Sequence, residues 1–348
     1  MLYIHQTTCI SPQNTYASVN IGDLKAPVDN ILKVTEPPYA GIQANVLRRM
    51  SKSVRLGVGA ALPLLKEGMQ SDGILIGTGN GGMEDSVRFL KEIVIYNEEM
   101  LTPGPFVQST PNAIASQIGL LSRNNGYNIT YVHRGLAFEN ALLDASMLLE
   151  EHPSNSYLVG GVDELSSGNY HLEWLDGWYK KEKTDGYDLY GSGSPGSIAG
   201  EGAALFLVNS VQQNALAAVK GIATLHSREE AAVMARLSGF LQRHLPPGEK
   251  IDLLLTGENG DNRALQWCTV CEAMMESDTT VARFKHMCGE YPTASAFALW
   301  LACHLPQTQL PPRHMVKRQS GNTRLKYILI YNNHKYSQHS FMLVERLL

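Results

Sequence analysis

Two cysteines three positions apart, Cys268 and Cys271, are the residues whose spacing first suggests chemistry. A CxxC pair suits a metal or a redox couple. A structural zinc needs four ligands, however, and no second CxxC or nearby HxxxH supplies the other two. The pair also falls inside a predicted helix, so both are read as core cysteines. The eleven histidines include no HExxH, and neither GxSxG nor GxxxxGK[ST] occurs, which removes the zinc-hydrolase, serine-hydrolase and P-loop readings. The run GTGNGG, residues 77–82, lacks the spacing and the acidic ribose ligand of a dinucleotide fingerprint. Its glycines are read as permitting close backbone packing beside a site. No metal and no cofactor is expected.

What remains is a strand, a sharp turn and a helix: YNITYV, then HRG at residues 133–135, then LAFENALLDASMLLEE. Many folds present a nucleophile at such a junction, because the helix N-terminus stabilises negative charge there. This turn presents no Ser, Cys or Thr. It does place His133 and Arg134 beside Glu139. Buried charges are costly unless paired, so these residues read either as an internal ion pair that fixes the turn or as a clamp for a ligand or carrier phosphate. A general-base role for His133 has no visible nucleophile to activate. The candidate pocket residues are His133, Arg134, Ser109 and Phe138.

The elements that position this turn follow from periodicity. LYIHQTTCI reads as a first strand and residues 11–45 as loop. Residues 44–69 read as one long helix, with Pro63 a kink. GILIGTGNGG reads as a buried strand and a glycine-rich turn, and residues 83–101 as a helix. STPNAIASQIGLL reads as a helix capped by Ser109 or Thr110, with Pro111 at its first position. YLVGGVDE reads as a buried strand, residues 166–200 as a polar, aromatic excursion ending in a mobile Gly/Ser loop, and ALFLV as a strand. A seam at 209–216 precedes a second run. There AVKGIATLHS, IDLLLTG, TTVARFKH, KYILIYNN and HSFMLVERL read as strands, with helices near 228–243, 262–276 and 293–304. Two similar α/β halves, 1–208 and 209–348, are expected, with no clear residue-level repeat.

With 348 residues, 44% of them hydrophobic, the chain is long enough for one large core or two fused ones. The net charge of −4 implies no nucleic-acid or membrane-surface role. Arg48, Arg49, Lys52 and Arg55 cluster on one predicted helix, as a solvated face or a dock for an acidic partner. The five cysteines are scattered and odd in number, and the N-terminus reads as a strand rather than a signal peptide. Reduced thiols in a cytoplasmic protein are expected. No apolar run reaches the roughly 18 residues of a membrane span.

Taken in order, LRRMSKSVRLGVGAAL, GILIGTGNGGMED, STPNAIASQIGL, YLVGGVDE and GEGAALFLV resemble the β-ketoacyl synthases of the thiolase fold over nearly the whole chain. The resemblance implies an α/β fold of two similar halves in five layers, α-β-α-β-α. It implies a Cys that takes the acyl chain as a thioester and two His that assist malonyl decarboxylation. Carried over residue by residue, the Cys position falls at Gly135. The first His position falls at Thr256, in LLLTGENGDNRAL. The family lysine falls at Lys285 and the second His position at Glu290, both in FKHMCGEYPTASA. The closing glycine-rich segment is matched by NNHKYSQHS, without its glycines. The resemblance therefore implies a degenerate synthase. One expectation is a non-catalytic chain-length-factor-like partner of an active ketosynthase, of the type found in aryl-polyene or flexirubin-type pathways. YNITYV and the helix after it would then form the dimer interface, and an acyl carrier protein would dock on the basic helix. The others are a decarboxylating or condensing enzyme with non-standard residues, using backbone N–H groups of the 133–136 turn with Thr256, Lys285 and Glu290, and a homodimeric acyl-binding or scaffold protein.

Overall fold

Alternating apolar residues make β1 (Leu2–Ile10) the first of the long strands. The computed structural model describes residues 1–65, 71–305, 310–321 and 325–347. After β1 come β2 (Ile31–Leu32), α1 (Ala44–Leu47), α2 (Lys52–Ala61), β3 (Gly73–Thr78), α3 (Met83–Ile95), α4 (Pro103–Gln108), α5 (Ala113–Ser122), β4 (Tyr127–Val132), α6 (Ala137–Glu151), β5 (Ser156–Asp163), α7 (Ser167–Leu175), β6 (Ala199–Gly200) and β7 (Gly202–Asn209). The second run holds β8 (Ala217–His226), α8 (Glu230–His244), β9 (Leu253–Thr256), α9 (Leu265–Ala273), β10 (Thr280–Arg283), α10 (Lys285–Cys288), α11 (Ala294–His304), β11 (Val316–Arg318), β12 (Tyr327–His334) and β13 (Gln338–Arg346).

The topology repeats. The first run orders its main strands β4-β3-β5-β7-β1, and the second β10-β9-β12-β13-β8. In both, the first three strands are parallel and the last two antiparallel. A short antiparallel pairing, Leu2↔Val219 to Ile4↔Ala217, joins the two into one 11-stranded sheet, with β11 on the far edge. A small second sheet pairs β2 with β6.

Three apolar clusters separate the layers. One packs α2 and α5 against the outer face of the first run of strands. Another packs α8 and α9 against the outer face of the second. The largest lies between the two runs and is filled by α6 and α11. The sequence ASAFALWLACH explains that position for α11. A helix apolar all round has no face to offer water, and every residue from Ala294 to Cys303 is buried. The result is the five-layered α-β-α-β-α arrangement.

Three local expectations need correction. The long helix at 44–69 is broken: α1 ends at Leu47 and α2 begins at Lys52, capped by Ser51, whose hydroxyl accepts the Val54 N–H. A 3-10 turn, Leu62–Leu65, then takes up Pro63, and residues 66–70 lie outside the described residues. The helix expected from Ser109 starts at Ala113 instead. Thr110 precedes a proline, which disfavours helical backbone there. Ser109 and Thr110 close α4 instead, donating to the Phe106 and Val107 carbonyls at 2.7 and 3.3 Å. TTVARFKH ends as a strand at Arg283, and Lys285 opens α10.

Candidate functional site

The strand-to-helix turn is set by close backbone packing. A Cβ on Gly77 of β3 would stand 2.5 Å from the Ala137 carbonyl carbon, so only glycine lets α6 start this near the strand end. Arg134 takes up the turn in the left-handed region, φ 49°, which is unfavourable for a long side chain. Gly135 and Leu136 behind it are buried.

Gly135 has neither space nor a free donor. A Cβ there would lie 2.2 Å from the Cβ of His334, so His334 fills the volume that any larger side chain would need. The Gly135 N–H donates to Gln338 Oε1 at 3.0 Å. The Leu136 N–H donates to the His133 carbonyl at 3.1 Å. Two of the N–H donors that an oxyanion could use at this turn, those of Gly135 and Leu136, are thus engaged.

His133 and Arg134 are exposed, contrary to the expected buried junction. His133 Nδ1 meets Asn140 Nδ2 at 2.8 Å. Among the described residues no ion pair joins either one to Glu139. Leaving both in water avoids the desolvation cost of burying them. Glu139 is fully buried, with the Ser340 and Ser295 hydroxyls as its polar neighbours, and burial pushes its carboxyl up. Phe138 is core, its ring 5.8 Å from that of Phe206, and Ser109 is half-buried at the end of α4.

Lys285 and Glu290 do meet. Lys285 is wholly buried, and its Nζ lies 2.8 Å from Glu290 Oε1. Asn259 donates to Glu290 Oε2 at 2.9 Å. His334 Nδ1 stands 3.7 Å from Oε1, outside hydrogen-bond length. Burial opposes the charge on Glu290, but the Lys285 ammonium and His334 outweigh it and hold the carboxyl near about 2. The cleft over this group, lined by Glu173, Tyr179, Asn259, Glu290, His334 and Tyr336, encloses about 20 Å³, room for roughly one water. Thr256 does not join it. Its hydroxyl accepts the Glu258 N–H at 3.3 Å and stands beside Cys268. The place expected for Thr256 is taken by Asn259, three residues on.

Asp163, at the end of β5, ties the surroundings together. It accepts from the Gly79 N–H at 2.8 Å, from the Thr293 N–H at 3.0 Å and from the Thr293 hydroxyl at 2.7 Å. One buried carboxylate thus pins the GTGNGG turn to the start of α11. The basic cluster is divided. Lys52 Nζ pairs with buried Glu201 at 2.6 Å and Arg55 Nε with Glu36 at 2.8 Å, while Arg48 and Arg49 are exposed. Outside the site, β4 is the last strand of the sheet. Its exposed Tyr127 and Val132 share the surface with exposed Phe106, Val107, Leu120 and Leu121.

Sequence reasoning does not single out Asn259 or Gln338, and it places His334 only in a crowded final loop; the signal for both His334 and Gln338 is the bulk of the run NNHKYSQHS.

Residues 26–174 match the family of the β-ketoacyl synthase N-terminal domain. No curated protein matches the chain. Among solved structures, a β-ketoacyl synthase from Burkholderia phymatum STM815 superposes with a TM-score of 0.79 at 12% identity, covering 100% of this chain and 99% of that one. The ishigamide ketosynthase/chain length factor gives 0.75 at 18% identity, covering 100% and 99%. The ketosynthase ApeO in complex with its chain length factor ApeC, from Xenorhabdus doucetiae, gives 0.76 at 13% identity, covering 99% and 98%.

Proposed function

We propose, from the match of residues 26–174 to the β-ketoacyl synthase N-terminal domain family and from the thiolase-like ketosynthase fold of the whole chain, that this protein is a non-catalytic, chain-length-factor-like subunit. Its partner is an active ketosynthase that extends acyl chains on a carrier protein. The observation that carries the reading is Gly135. A glycine forms no thioester, and here its N–H is bound by Gln338 and its free volume is taken by His334. The decarboxylating alternative loses support at the same place, because two of the N–H groups it would borrow, those of Gly135 and Leu136, are engaged.

A partner surface is available on β4, an edge strand with exposed apolar neighbours. Unpaired edges of this kind pair readily with another chain, and a strand-to-strand contact there would extend the sheet. That two structural neighbours pair a ketosynthase with a chain length factor supports a heterodimer over a homodimer. An aryl-polyene or related unsaturated product, a cytoplasmic location and carrier docking near Arg48 and Arg49 belong to this proposal. No helix among the described residues is long and apolar enough to cross a membrane.

The test is co-expression with a Cys-bearing ketosynthase of the same cell. Co-purification as a one-to-one complex, lost in a Tyr127→Lys/Val132→Lys variant that keeps its own melting temperature, is expected. The purified chain alone should form no acyl adduct by intact mass and release no carbon dioxide from a malonyl-carrier thioester. A covalent adduct on the wild-type chain would overturn the reading.

A further inference from the structure

Residues 334–338 connect β12 to β13 through a turn that is unfavourable by its own chemistry. Lys335 and Tyr336 are both left-handed, φ 49° and 65°, and the Ser337 N–H reaches the His334 carbonyl at 3.4 Å. A turn with two left-handed central residues selects Asn-Gly. A lysine and a tyrosine persist there only if surrounding contacts hold them.

Those contacts are present on both sides. The Tyr336 hydroxyl donates to Asp261 Oδ2 at 2.8 Å, and Lys335 Nζ lies 2.6 Å from Glu173 Oε1 on α7. The Trp178 ring packs at 5.0 Å from the Tyr336 ring. Arg263 sits 5.6 Å from both rings and grips Asp261 through Nε and Nη2 at 2.9 and 2.7 Å. Two segments distant in sequence, 173–178 and 261–263, thus clasp one turn. On the inner side of that turn, His334 occupies the space over Gly135 and Gln338 takes the Gly135 N–H.

We propose that this hairpin is a built-in plug. The clasp forces the strained turn shut, the shut turn holds His334 over Gly135, and an acyl thioester is thereby excluded from this subunit. The proposal rests on the non-catalytic reading for its purpose, since a subunit that only shapes its partner's chain gains from a sealed site of its own. His334 and Gln338 are then positioning residues, and Tyr336, Lys335 and Trp178 are the latch.

The plug is tested on the isolated chain, where the native thiols give little background because all five cysteines are buried. Gly135→Cys introduces a thiol under the plug, and Gly135→Cys/His334→Gly introduces it with the plug removed. Alkylation by iodoacetamide should be at least about tenfold faster in the double variant, because reagent access to a buried group follows local opening. His334→Gly alone should be stabilised by added imidazole, which refills the vacated space, whereas wild type should not. A Gly135→Cys chain that fails to fold agrees with the clash, and the imidazole measurement then decides. The plug is overturned if Gly135→Cys melts like wild type and is alkylated as fast as the double variant, or if imidazole leaves His334→Gly unchanged. Neither result touches the non-catalytic reading, which fails if the wild-type chain itself forms an acyl adduct or turns over.

Discussion

Gly135→Cys alone is expected to restore no condensation, because the added Cβ meets His334. A radiolabelled malonyl-carrier assay of this variant with the proposed ketosynthase partner should match wild type or fall below it. The buried pair predicts a second result. Glu290→Ala strands the Lys285 ammonium and should cost about 3–5 kcal/mol in urea unfolding. Two carboxylates predict pH slopes of opposite sign. Glu290 is held down near about 2 from the ordinary 4.5, so its contribution is present above pH 4.5 and is lost as pH falls toward 2. Glu164 is pushed up to about 7 by burial, despite accepting the Glu84 and Ser53 N–H groups. The folded state therefore holds a proton that the unfolded state releases, and stability falls as pH rises from 4.5 to 7. Glu164→Gln should flatten that upper slope and leave the acid limb intact, as read by urea midpoints across pH.

At the scale of elements, how well each segment could be read depended on whether its pattern was local. The helix ASAFALWLACH was legible because nine apolar residues in a run of eleven, too long for a typical strand, point to a buried helix, and α11 spans Ala294–His304. Trp300→Ala should cost roughly 3–5 kcal/mol, measured by the urea midpoint, since the ring is fully buried among the central cluster. The break at Arg48–Ser51 was not legible. Its periodicity continues across the gap, and only the Ser51 cap and the Lys52–Glu201 pair mark the new start. The strand and helix around residue 135 could be read, and so could the lack of Ser, Cys or Thr in the turn between them. The clustering of Lys285 with Glu290 was also within reach, five residues apart. The approach of His334 to Gly135 was not, because it spans almost 200 residues and depends on how the β12–β13 connection packs against the turn before α6. Asn259 took the place expected for Thr256 because the loop after β9 turns that hydroxyl toward Cys268.

For the whole molecule, the repeated strand order carries the two-halves expectation further than any sequence repeat could. We propose that the division falls at 208/209, just before the 209–216 link. The two halves nonetheless share the central cluster. Fragments 1–208 and 209–348 expressed separately should each lack a cooperative melting transition, and co-expression should restore one. Independent cooperative melting of either fragment would argue against a shared core as the source of stability.

The pairing of β1 has a consequence for how this chain is made. Tyr3 pairs with Asn209 and Leu2 with Val219, so β1, once synthesised, finds neither neighbour until some two hundred residues have followed. At about 5–20 residues per second, that wait is roughly 10–40 s. Throughout it, a nine-residue strand stays without its hydrogen-bonding partners, and closing so long a loop is slow in itself. The nascent chain should therefore depend on holding factors during synthesis, and a Cys9 thiol, buried once folded, should be open to modification only in this interval.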